Sequence, residues 1–268
     1  IIYLITFLIV FLSCNNGNER DIAVLDNTEI HFGEKIITSK TLIEGTTLPE
    51  SSQVGIFSWG HKINEDISNT SIRKDLNKLY TKSSNSELIT DAHAHYPVNP
   101  DTLLNIYAYH PYTEAATTAP LSIPFDLKKQ DDIMWATPVL NLSKTQGDTP
   151  VNLSFNHILS AITLKFKKAD DIKEDMILQS ISMENYPSTM QLNVQTGKLS
   201  AAASTTPYTL IDNQSVAMTP TEVTIVTNHL LYPIENPVFI VRMSGKDYRI
   251  ESKKAFEGGK KQTYSFTI

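Results

Sequence analysis

Leu153-Ser154-Phe155-Asn156-His157-Ile158-Leu159-Ser160-Ala161-Ile162-Thr163-Leu164-Lys165-Phe166 is the stretch on which the fold turns. Apolar and polar residues alternate along it with a period of two, the spacing of a strand with one face on a core. The phase changes partway. Leu153 and Phe155 share one parity, whereas Ile162, Leu164 and Phe166 fall on the other. A single strand keeps one core-facing side through such a change if a bulge near His157 to Ser160 absorbs the extra residue.

The same alternation recurs on both sides of this stretch, between clusters of Gly, Pro, Asn, Asp and Ser. Upstream it reappears at Ile30-His31-Phe32, Val54-Gly55-Ile56-Phe57-Ser58-Trp59 and Leu104-Asn105-Ile106-Tyr107-Ala108-Tyr109, the last stopped by His110-Pro111. Downstream, Met190, Leu192 and Val194 lead into the turn Thr196-Gly197-Lys198. Pro237 has no N–H for a ladder and marks the start of Val238 to Met243. Ser244-Gly245-Lys246-Asp247 then turns the chain into Tyr248-Arg249-Ile250, a hairpin. Tyr264 to Ile268 is the last strand, after the breaker Gly258-Gly259. Only Ile72 to Tyr80 has helical spacing, with Ile72, Leu76 and Leu79 on one face, and it predicts a short helix. The chain therefore reads as all-β. Asn141 to Pro150 is the best linker candidate and divides the rest into two sandwich-sized halves, 28–147 and 148–268.

The first residues follow different rules. Ile1 to Leu12 is apolar apart from Thr6 and the Tyr3 hydroxyl, too short to span a bilayer, and matches the apolar region of a secretory signal peptide. It lacks an initiator Met and a basic start, which implies a sequence truncated at its N-terminus. Leu12-Ser13-Cys14 resembles a bacterial lipobox, with Phe11 in place of the usual Leu. The reading is a signal peptide over 1–13, a lipidated Cys14, and a polar tether over 14–27.

Composition removes several classes of function. The 268 residues include 41% hydrophobic and 19% charged, enough apolar matter for a packed core. Lys and Arg number 23 against 29 Asp and Glu, a net charge of -6, with no basic run longer than two; duplex nucleic acid is a poor partner for such a surface. One cysteine excludes a disulfide framework and a Cys-based zinc site. His93 and His95 share a strand parity, but no further ligand follows at a metal-site spacing, so no metal is expected. His110 and His157 read as packing or turn residues. Gly55 to Gly60 has the wrong spacing for a nucleophile elbow around Ser58, and Ser71-Ile72-Arg73-Lys74 lacks the companion motifs of a Ser-x-x-Lys enzyme. Neither a catalytic residue nor a cofactor is expected. The Asn-x-Ser/Thr triplets at Asn69, Asn141, Asn152 and Asn213 carry no weight in a bacterial lipoprotein.

Five segments together carry a resemblance: Val54 to Phe57, Ile106-Tyr107-Ala108-Tyr109-His110-Pro111-Tyr112, Asp132-Ile133-Met134-Trp135-Ala136, Leu153 to Leu159, and Gly259 to Ile268. In this order they resemble the fimbrillin family, lipoprotein pilins of Bacteroidales. The resemblance implies two tandem transthyretin-like β-sandwich domains, export as a lipoprotein to the outer membrane and cell surface, and assembly into a fimbrium. It also implies strand exchange: a protease removes the first strand, and a neighbouring pilin subunit fills the groove. That first strand reads as Thr28 to Ile37, with Ile30 and Phe32 facing the core. Two features depart from the family. Its cleavage point is an Arg, whereas the matching region here offers Lys40, and Arg20 lies before the strand. The chain also stops at Ile268 without a donor segment, which resembles a tip subunit. The expected partners are thus other subunits, membrane lipid through acylated Cys14, and a host or bacterial surface ligand. A second reading is a non-polymerising surface lipoprotein that binds glycan through Trp59, Trp135 and the tyrosines from Tyr107 to Tyr112.

Overall fold

Strands dominate because short β-branched and aromatic runs alternate between turn residues almost throughout. The computed structural model describes residues 25–38, 43–63, 65, 72–117, 121–144, 149–204 and 206–268. Cys14, Arg20 and Lys40, with the leader and most of the tether, lie outside the described residues. The first eleven strands are β1 (Leu25–Ile30), β2 (Phe32–Thr38), β3 (Gln53–Lys62), β4 (Ile72–Lys82), β5 (Glu87–Ile89), β6 (Ala94–Pro97), β7 (Thr102–His110), β8 (Ile123–Asp126), β9 (Met134–Thr137), β10 (Val139–Leu142) and β11 (Val151–His157). Ten more follow: β12 (Ser160–Lys167), β13 (Met176–Met183), β14 (Thr189–Leu192), β15 (Leu199–Ser200), β16 (Tyr208–Ile211), β17 (Val216–Met218), β18 (Val223–Leu231), β19 (Val238–Met243), β20 (Lys246–Glu251) and β21 (Lys261–Thr267). Among the described residues the helical elements are two short 3-10 turns, at Glu114–Thr117 and Leu127–Lys129. The all-β reading holds.

Eight of the first eleven strands form one sheet in the order β10-β7-β3-β4-β5-β2-β11-β9. Because β9 also pairs with β7, through Tyr109↔Trp135 and His110↔Met134, this sheet closes on itself. Closure leaves β2 hydrogen-bonded within a ring rather than at an edge. Inside lie Ile30, Phe32, Val54, Ile56, Tyr80, Leu104, Ile106, Leu153 and Phe155. The second half has a sheet ordered β18-β12-β21 facing one ordered β16-β13-β19-β20. Phe239 of the latter meets Phe266 of the former edge-to-face, ring centroids 5.4 Å apart.

The two halves share a core. Phe57, Trp59, Tyr107 and Tyr109 leave the ring on its outer side and pack with Leu159, Ile162, Tyr186, Leu192 and Phe239. That is why β3 and β7 are buried on both faces and read as nearly continuous apolar runs. β8 also crosses over to pair with β14 of the second half.

Two expectations need correction. Leu153 to Phe166 is not one bulged strand: β11 pairs with β2 and β9, whereas β12 pairs with β18 and β21. The phase change marks a change of sheet, since each segment faces a different core. The chain passes from one sheet to the other at residues 158–159. The Ile72 to Tyr80 helix is a strand, β4. Its inward positions include Asp75 and Asn77 as well as Tyr80, so the apolar spacing misleads: Leu76 and Leu79 are exposed. Register shifts opposite Ile56 to Trp59, with Asn77 at φ 51°, let both polar groups find partners. Ser58 donates to Asp75 at 2.6 Å, and Asn77 accepts from the Tyr109 hydroxyl at 2.7 Å.

Candidate functional site: the amino-terminal strands

Two strands, not one, occupy Thr28 to Ile37. The chain breaks at His31, so β1 pairs antiparallel with β6 (Glu29↔His95, Ile30↔Ala94). β2 inserts between β5 and β11, antiparallel to the first (Phe32↔Leu88) and parallel to the second (Phe32↔Val151 to Ile36↔Phe155). The break at His31 leaves Ile30 and Phe32 facing the same way, each 1% exposed. Phe32 meets the Tyr80 ring edge-on at 5.3 Å. The Tyr80 hydroxyl accepts from the Ala94 amide at 3.0 Å, and burial pushes its pKa up to about 12. Ile36 is buried too, while Ile37 is more than half exposed, as a strand of period two requires.

A strap from Ile43 to Pro49 closes the same side of β2. The Ile36 amide donates to the Thr46 carbonyl at 2.8 Å, and Leu48 of the strap is buried. Ile43 N–H donates to Asp132 Oδ2 at 2.9 Å, and Asp132 Oδ1 lies 3.0 Å from His157 Nδ1 at the end of β11. Between Phe32 and Ile36 the inward residue is Glu34, one carboxyl oxygen of which accepts from Leu48 N–H at 3.0 Å. The other faces Lys82 Nζ at 3.8 Å. Burial pushes the Glu34 carboxyl up, while the Leu48 bond and the Lys82 charge pull it down, burial being the largest of the three. The periodicity located Ile30 and Phe32; it gave no sign of Glu34, because a carboxylate normally marks the wet face.

Other candidates are structural here. Trp59, Tyr107 and Tyr109 are buried in the core between the halves, so they form no aromatic platform for a sugar. Trp135 donates its indole N–H to the Val194 carbonyl at 2.7 Å and covers Gly197. His110 sits buried with Nδ1 2.8 Å from the Gln53 carbonyl, and burial lowers its pKa. His93 lies 3.4 Å from Glu29, and His95 lies on β6. Among the described residues no group of three or more His, Cys, Asp or Glu is arranged to hold a metal.

Residues 41–268 match the fimbrillin-like family. No curated protein matches the sequence. Among solved structures the chain is similar to a proposed cell adhesion protein from Bacteroides ovatus, with TM-score 0.58, 18% identity, and 90% of this chain and 92% of that one covered. A fimbrial protein from Bacteroides vulgatus gives TM-score 0.54 at 11% identity, over 89% and 94% of the two chains. A proposed cell adhesion protein from Bacteroides uniformis gives 0.51 at 20%, over 90% and 93%. At such identities the likeness is one of fold.

Proposed function

The chain belongs to the fimbrillin-like family, and on that premise we propose that it is a fimbrial subunit of the cell surface, joined to its neighbours by exchange of its first strands. The observation that carries this reading is the place of β2. It lies inside a closed ring, hydrogen-bonded to β5 and β11, and with β1 contributes Ile30, Phe32 and Ile36 to the core. Withdrawing it opens an apolar cleft flanked by unpaired backbone, which water does not satisfy as well as another strand does. Each large apolar side chain that a donor returns to the cleft contributes about 1.5–3 kcal/mol of burial. The family match begins at residue 41, just past β2 and Lys40.

In this reading residues 1–13 direct export, Cys14 carries the acyl chains that hold the precursor at the outer membrane, and 14–27 tether the folded body. Cleavage at Lys40, rather than at Arg20, frees the cleft. The subunit then accepts a strand from a shaft subunit and serves as a tip or accessory element that meets a host or bacterial surface ligand. Labelled palmitate tests the anchor: wild type incorporates it and Cys14→Ala does not, and equal labelling would contradict the lipoprotein assignment. The joint is tested by mixing chain cut at Lys40 with each shaft subunit of the same locus. A complex that survives heating on a gel is expected. A cut chain that stays monomeric with all of them would overturn strand exchange.

A further inference from the structure

The cleft filled by β2 is not uniformly apolar. Lys82 ends β4 with its side chain only 4% exposed, and Glu34 of β2 has a side chain with no exposure at all. Lys82 Nζ donates to the Ser83 carbonyl at 2.5 Å and faces Glu34 Oε1 at 3.8 Å, an oxygen that makes no hydrogen bond. Glu34 Oε2 accepts the Leu48 N–H. One strand residue therefore answers two buried donors, an ammonium from the ring and an amide from the strap. If β2 leaves, both donors stay behind, because neither is on the departing strand. An aliphatic replacement leaves a cation buried beside apolar side chains, and a buried charge that loses its partner is far costlier than a buried methylene gained.

We infer that the cleft reads the chemistry of its occupant as well as its shape: a strand taking the place of β2 needs a carboxyl or carboxamide side chain at its middle inward position, opposite Lys82 and the Leu48 amide. The inference deepens the strand-exchange reading and rests on it. It defines the donor by class. Running parallel to β11, the donor presents a large apolar residue at the Phe32 position, an acidic or amide residue at the Glu34 position, and a second large apolar residue at the Ile36 position. A strand that is apolar at all three positions, or basic at the middle one, is refused. This is specificity by an unpaired charge set against the wrong partner.

The test uses the full chain, folded first and then cut at one protease site placed in residues 39–42, with mild denaturant to release the cut strand. Fluorescent peptides of residues 28–38 are offered in native sequence and as Glu34→Gln, Glu34→Leu and Glu34→Lys forms, and binding is followed by anisotropy. Native and Gln peptides enter; the Leu peptide binds at least tenfold more weakly, and the Lys peptide more weakly still. In cut Lys82→Met chain the Leu penalty shrinks severalfold. A Leu peptide that binds wild-type chain as tightly as the native one would overturn the inference and leave strand exchange standing. If the cut chain stays folded and admits none of the peptides, strand exchange itself fails, and the inference with it.

Discussion

At Phe32 a single side chain joins the removable segment to the body of the protein. It is 1% exposed and packs edge-on against Tyr80, whose hydroxyl in turn holds β6 through Ala94. Phe32→Ala is expected to destabilise the full chain by about 3–5 kcal/mol, with a lower denaturant midpoint and an unchanged slope. Ile37→Ala, on the exposed side of the same strand, should cost about 0.5 kcal/mol or less. His229 makes a pH-dependent contribution. Burial lowers its pKa to about 4, and its Nε2 lies 3.5 Å from the Tyr208 hydroxyl. In the unfolded chain the imidazole takes a proton near pH 6.5, well before the folded state does. Its contribution is therefore full above about pH 6.5 and is lost as pH falls toward 4. His229→Phe should flatten the fall of melting temperature over that window; an unchanged slope would show that the ring is not kept neutral by folding.

At the scale of elements, legibility depended on how many faces a strand buries. Met190, Leu192 and Val194 alternate because β14 and its turn bury one side, and all three lie in the core. The hairpin at Ser244-Gly245 has both residues at positive φ, 44° and 81°, as a two-residue type I′ turn requires. The helical spacing of β4 misleads because its buried side carries Asp75, Asn77 and Lys82, whose partners lie on the neighbouring β3 and on β7 and β2, and hydropathy is blind to such pairs. Glu34 escapes the pattern for the same reason. Gly197 has φ +70°, and a Cβ there would stand 2.8 Å from the Trp135 ring, so the turn beyond β14 can approach β9 only without a side chain. Gly197→Ala is expected to cost about 2 kcal/mol or more, from backbone strain together with displacement of Trp135. Thermal unfolding followed by tryptophan fluorescence measures it, and an unchanged midpoint would show that this contact does not hold the halves together.

The whole molecule is threaded by β11 and β12, adjacent in sequence but built into different sheets. β11 takes β2 as its parallel neighbour and β12 takes β21, so the second and the last strands flank successive segments of one backbone. Together with the core shared between the halves, this ties the cleft to the body of the chain rather than to a detachable lobe. The point where the chain crosses between sheets is not legible in the sequence, since Ile158 and Leu159 are as apolar as the strands they join. Strand exchange at β2 is the central claim, and β11 is where it can be read directly. A photo-crosslinker at Ser154, which stands opposite Lys35 in the β2 register, would be activated in assembled surface fibres and the crosslinked peptides identified by mass spectrometry. Strand exchange predicts that Ser154 is joined to a strand of another subunit. Crosslinking to residues 32–38 of its own chain in the assembled fibre would contradict it.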